Sequence, residues 1–164
     1  MSSEPAHTIL IPKGQCEVAI DTAAILKTRS LGGCIAVLAH DPVHHVGGLL
    51  HVMLPRAVYS RSNSDVLPTL YADTGVPLLL QRMHGLGART ENLTVKLAGG
   101  GTLVEAPAVL QLGWRTAVAV RKQLWRAGLL VAAEALGGQH SWEVALLVGT
   151  GRVIMSTRGE ERQL

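Results

Sequence analysis

Short apolar runs, each closed by Gly, Pro or Asp, constrain the fold of this chain more than any other feature. In the first third they follow one another closely, over residues 8–11, 16–20, 25–28, 34–39 and 46–54. Runs of this length between turn-forming residues read as strands. Pro55 and the polar residues 60–65 then mark a loop. Residues 71–86 change period: Leu70, Val76, Leu79, Leu80 and Met83 recur at steps that give a helix one apolar face. Pro77 is assigned to the first turn of that helix, where its missing N–H is harmless, and Gly85 and Gly87 end it. A strand over 93–98 is stopped by Gly99-Gly100-Gly101. A second amphipathic helix covers 113–127, with Ala117, Val118 and Leu124 inward, its arginines outward and Gly128 closing it. Strands over 129–133, 144–148 and 153–156 finish the chain, the last two joined by a Gly149-Thr150-Gly151 turn. Strands, two helices and more strands predict a layered α+β domain.

At 164 residues the chain is read as one domain over 1–164, with loose tails at 1–8 and 159–164. Its 48% hydrophobic content excludes a disordered chain. The core lacks Phe and is filled by Leu, Val and Ala. The net charge of +3 is thickest at Arg115, Arg121, Lys122 and Arg126. That is too diffuse, and too poor in stacking aromatics, for nucleic acid, but it suits an acidic partner. No apolar run is long enough to span a membrane. The N-terminus lacks the basic start and apolar core of a signal peptide, so Cys16 and Cys34 are expected as reduced thiols in the cytoplasm.

Two groups carry chemistry. Cys34 follows Gly32-Gly33, and His51 follows the Gly47-Gly48 pair on the next apolar run. Paired strands would bring thiol and imidazole together, as a nucleophile and its base require. An adjacent His can hold such a thiol as a thiolate–imidazolium pair. The N–H groups of Gly32, Gly33 and Cys34 could form an oxyanion hole. Thr28, at the end of the preceding strand, could fix the imidazole tautomer through its hydroxyl or its carbonyl. Residue chemistry alone leaves the alternative of a buried strand Cys and a satisfied core His equally open. His40, Asp41, His44 and His45 cluster at a turn, but without regular ligand spacing they read as a solvated hairpin tip rather than a zinc site. His84 and His140 read as isolated surface residues, and Cys16 as packing. Gly99-Gly100-Gly101 lacks the Lys-Ser/Thr of a phosphate loop.

Further blocks accompany these residues in order: Leu31-Gly32 with Cys34, Gly47-Gly48 with His51-Val52-Met53-Leu54-Pro55, and Tyr71-Ala72-Asp73. Met83, Gly87-Ala88, Lys96-Leu97-Ala98-Gly99-Gly100, Gly113 with Arg115, and Gly137-Gly138 follow. Together, over residues 11–155, they resemble the CheD family, the chemoreceptor glutamine deamidases of bacterial and archaeal chemotaxis. The resemblance implies a three-layer α/β/β sandwich similar to the catalytic domain of cytotoxic necrotizing factor toxins. It implies hydrolysis of selected glutamine side chains on the cytoplasmic helical hairpin of chemoreceptors, with no metal or organic cofactor. The family's Cys–His–Thr triad maps onto Cys34, His51 and Thr28. The implied partners are the receptor and a CheC-type phosphatase, with neither nucleic acid binding nor membrane insertion.

Three positions depart from the family pattern. Ser30 stands where Gly is usual, which bears on the turn. Gly33 stands where Ser is usual, which removes a hydroxyl but keeps the N–H. After Gln139, His140-Ser141-Trp142 replaces the common Tyr-Gly-Arg. That change bears on the substrate groove, for which Gly137, Gly138, Gln139 and Ser141 are the candidate residues. The competing readings are a binding module that regulates a CheC-type phosphatase or a receptor without turnover, and an amidase acting on another protein.

Overall fold

The computed structural model describes residues 5–57, 67–102 and 111–164. In chain order, β1 (His7–Leu10), β2 (Cys16–Ala19), β3 (Ala24–Leu31), β4 (Ile35–Asp41) and β5 (Val46–Val52) come first. Helix α1 (Ala72–Gly85), strand β6 (Thr94–Gly99) and helix α2 (Leu112–Arg126) follow. The chain closes with β7 (Val131–Leu136), β8 (Trp142–Leu147), β9 (Val153–Thr157) and β10 (Glu160–Gln163). One sheet runs β1-β3-β8-β9-β10 and the other β2-β5-β4-β6-β7. Both are mixed: β1–β3 and β6–β7 are parallel, and their other pairings are antiparallel.

The second sheet lies in the middle. On one face Ile35, Val37, Leu50 and Leu97 pack with Val76, Leu79 and Met83 of α1 and with Val120 and Leu124 of α2. On the other, Ala36, Leu38, Leu49 and Ala98 pack with Leu26, Val144, Leu146 and Met155 of the first sheet. The fold is therefore α+β, in three layers of helices, sheet and sheet. Every residue of β4 and β5 is buried, so these strands read as continuous apolar runs rather than alternating ones. At Gly47-Gly48 both outer layers close in on β5. A Cβ on Gly47 would meet Val148 at 2.9 Å, and one on Gly48 would meet Leu79 at 2.7 Å.

The structure differs from the sequence reading in several elements. Pro77 lies in the second turn of α1, not the first. The helix begins at Ala72, whose N–H bonds the Leu54 carbonyl just beyond β5, at 2.8 Å, five residues before Pro77. Pro77 is tolerated there on the exposed face. Val118 points outward, 42% exposed, and Val120 takes the inward place. At 100° per residue, Val118 cannot share a face with both Ala117 and Val120. The segment after Gly159, read as a loose tail, holds strand β10 on the edge of β9. At the other end, residues 7 and 8 open β1; residues 1–4 and the loop over 60–65 lie outside the described residues.

Candidate active site

The site is assembled between the two sheets. Thr28 comes from β3 of the outer sheet and His51 from β5 of the middle one, and both are buried. The Thr28 hydroxyl donates to the Ile11 carbonyl at 2.8 Å. Its oxygen lies 2.6 Å from His51 Nδ1. A hydroxyl has one proton, so Thr28 accepts from Nδ1–H. This fixes the tautomer that leaves Nε2 unprotonated, and Nε2 is buried without a hydrogen-bond partner. Of the two Thr28 groups considered from sequence, it is the hydroxyl that touches the ring. The His51 backbone is held as well: its carbonyl accepts from the Gly14 N–H at 2.8 Å and its N–H donates to the Gln15 carbonyl at 2.9 Å.

Cys34 precedes β4 directly. In the β4–β5 register Ala36 stands opposite His51, so Cys34, two residues earlier, is the diagonal neighbour of His51 on the same face. The thiol is half-buried, against the core between the sheets. The turn that carries it is tied to the end of β6: Gly100 N–H donates to the Cys34 carbonyl at 2.8 Å, and Gly101 N–H to the Gly32 carbonyl at 2.7 Å. Gly99 is required here. It has φ 109°, and a Cβ on it would run into the Cys34 carbonyl oxygen. The Gly32 N–H, one of the expected oxyanion donors, instead bonds the Ser30 carbonyl at 2.9 Å. The remaining backbone donors in the turn of the Cys34 thiol are then the N–H groups of Cys34 and of exposed Gly33. Ser30 adopts φ 58°, in the left-handed region that favours Gly.

Burial dominates the electrostatics. It pushes the Cys34 thiol up, opposed by the Lys13 charge. It pushes His51 down to about 4, and Lys13 pushes the same way. In both groups burial favours the neutral form, which opposes the thiolate–imidazolium pair that the residue types suggest. Lys13 is the group that sequence reasoning passed over. It sits in the turn whose neighbours Ile11, Gly14 and Gln15 grip Thr28 and His51, but an exposed Lys beside Gly carries no signal in one dimension. Cys16 is buried and free, its thiol pushed up to about 11 chiefly by burial, which suits packing.

Beside the Cys34 turn lies a cavity of about 350 Å³, lined by Gly32, Gly33, Gly101, Gln139, His140 and Ser141 among others. Gly137 and Gly138 brace its wall, with Gly137 N–H bonding the Gly99 carbonyl and Thr102 N–H the Gly138 carbonyl, each at 2.9 Å. His140 is thus exposed, as expected, but at the rim of this cavity; Trp142 is buried at the start of β8. The turn at 40–45 is less solvated than its composition suggests, since His40 and Asp41 are buried. Burial raises the Asp41 carboxyl, but N–H groups of Arg89, His44 and Val43 overrule it and hold the carboxylate well below its usual range. Among the described residues no three His, Cys, Asp or Glu side chains converge as a metal site.

Comparison with known proteins matches residues 53–157 to the model of the family described as CheD chemotactic sensory transduction. A protein of Solibacter usitatus named probable chemoreceptor glutamine deamidase CheD is 36% identical over 156 residues, covering 95% of this chain and 92% of its own. Probable chemoreceptor glutamine deamidase CheD 2 of Anaeromyxobacter dehalogenans is 39% identical over 144 residues, 88% of this chain and 91% of that one. Chemoreceptor glutamine deamidase CheD of Thermotoga maritima is 36% identical over 140 residues, 85% and 86%. Among solved structures, the C-terminal domain of CNFy from Yersinia pseudotuberculosis aligns with TM-score 0.41 and 7% identity over 96% of this chain and 60% of that one.

Proposed function

The chain belongs to the CheD family, and from that membership we propose that it hydrolyses glutamine side chains of a chemoreceptor to glutamate and ammonia. Cys34 is the nucleophile, His51 the base and acid, and Thr28 the residue that orients His51. The observation that carries the assignment is the direction of the Thr28–His51 hydrogen bond. It turns the free lone pair of Nε2 away from Thr28, on the strand face that Cys34 shares.

In the reaction, Nε2 takes the thiol proton as Sγ bonds to the carboxamide carbon. The carbonyl oxygen becomes an oxyanion that the Gly33 and Cys34 N–H groups can receive. Nε2–H then protonates the departing amine, the C–N bond breaks, and ammonia leaves a thioester. Water next gives a proton to Nε2 and attacks the thioester carbon. Cleavage of the C–S bond returns the proton to sulfur and frees glutamate.

A chemoreceptor substrate is supported by the names of the relatives, which match at 36–39% identity. No helix among the described residues is long and apolar enough to cross a membrane. Cytoplasmic action and a CheC-type phosphatase partner rest on the family resemblance. The test is intact-mass spectrometry of a chemoreceptor cytoplasmic fragment after incubation with the wild type and with Cys34→Ala. The mass gain of amide-to-acid conversion is expected with the wild type only; no gain with a folded protein and free thiol overturns the proposal.

A further inference from the structure

The outer face of α2 borders a groove of about 550 Å³ that plays no part in the chemistry above. Arg115, Lys122 and Arg126 line it along the helix, with Arg56 opposite and exposed Trp114 and Val118 among them. The spacing from 115 through 118 and 122 to 126 keeps these side chains on one stripe. The stripe extends roughly 16 Å at 1.5 Å per residue, about three turns of a second helix. The carboxylate lining the groove, Asp73, is already engaged by the Ala57 N–H at 2.9 Å. Among the described residues, none of the four groove cations forms an ion pair. Arg121, which does not line the groove, does: it meets Glu134 at 2.6 Å. The stripe therefore gathers several cations with no ion-pair partner among the described residues along one helix face.

The groove is also placed next to the reaction. Arg56 lies just past the strand that carries His51. At its start α2 packs so closely that a Cβ on Gly113 would stand 3.0 Å from the Gly33 carbonyl. A segment lying along α2 would thus reach the Cys34 turn at one end. We propose that this groove docks an acidic amphipathic helix of the protein substrate, holding it while one of its glutamines enters the cavity beside Cys34. Its carboxylates meet the four cations and its apolar side meets Trp114 and Val118. The inference deepens the deamidase reading and rests on it for the identity of the substrate.

Binding is tested by calorimetry on the Cys34→Ala protein with three probes. These are a synthetic amphipathic helical peptide with Glu every third or fourth residue, its Gln-for-Glu twin, and phosphatidylglycerol vesicles. The Glu peptide is expected to bind, weakening with salt, and the Gln twin and vesicles to fail. Combining Arg115→Glu, Lys122→Glu and Arg126→Glu should weaken peptide binding by about tenfold or more, whereas Arg121→Ala should not. With Cys34 intact, the same triple change should raise KM for a chemoreceptor fragment by a similar factor. Should the triple variant not fold, Arg115→Glu alone serves for both measurements. Undiminished peptide binding, preference for the vesicles, or an unmoved KM overturns the proposal. Release of ammonia with no groove dependence would sink the groove and spare the deamidase. Groove-dependent binding of the fragment without ammonia release would do the reverse.

Discussion

At Thr28 a single hydroxyl donates to Ile11 and accepts from His51, so the side chain sets both the position and the tautomer of the imidazole. Thr28→Val keeps the shape and removes both bonds. A hydrogen bond to a group that becomes charged is worth about 1.5–3 kcal/mol, so kcat should fall by roughly 10- to 100-fold, with Thr28→Ser retaining most activity. Steady-state ammonia release measures both. His51 adds a stability effect of definite sign. Its folded-state value of about 4 lies below the ordinary 6.5, so between these limits the unfolded chain binds the proton that the native state refuses. Stability then falls as pH drops from 6.5 towards 4. Denaturant melts across that window should show His51→Gln to be less acid-sensitive there than the wild type. Because burial raises the Cys34 thiol, alkylation by iodoacetamide should titrate at higher pH than for a free cysteine. A curve shifted the other way would establish a resting ion pair instead.

Among the elements, the end of β3 is where local strain meets function. The β3–β8 register shifts between Thr28 and Leu31, and Ser30 sits at φ 58° within that irregularity. The irregularity separates the strand that carries Thr28 from the turn that carries Cys34. A non-Gly residue held in the left-handed region costs on the order of 1 kcal/mol, so Ser30→Gly should raise stability by up to that amount. A higher thermal midpoint with unchanged fold would show it. The turn after β6 is less forgiving. Gly99→Ala would drive a Cβ into the Cys34 carbonyl, so activity should be lost through displacement of Cys34, with the crystal structure of the variant as the check. In α2, the inward face was legible at Ala117 and Leu124 but not at the choice between Val118 and Val120. An isolated valine is apolar in either place, and only packing against β4 and α1 distinguishes them.

For the whole molecule, three layers turn residues remote in sequence into one site. Most strand positions followed from the apolar runs between Gly, Pro and Asp, since a strand covered on both faces must be apolar throughout. The ordered blocks from Thr28 to Gly138 likewise sufficed to identify the family. Strand β10 was not legible, because all four of its residues are exposed and its place comes from pairing with β9 rather than from any burial pattern. The place of Pro77 in α1 was misread for the same kind of reason: the Leu54 carbonyl, which receives the Ala72 N–H, fixes where the helix begins across the chain. The sequence by itself determined the strand-rich α+β class, the pairing of β4 with β5 and the candidacy of Cys34, His51 and Thr28, all of which depend on local period and residue type. Only the tertiary structure decided which Thr28 group meets His51, that burial favours the neutral form of both groups, that the Gly32 N–H is already taken, and that the basic stripe of α2 borders a groove. Hydrogen-bond direction, desolvation and the meeting of surfaces depend on which layers close over a residue, and no single segment encodes that.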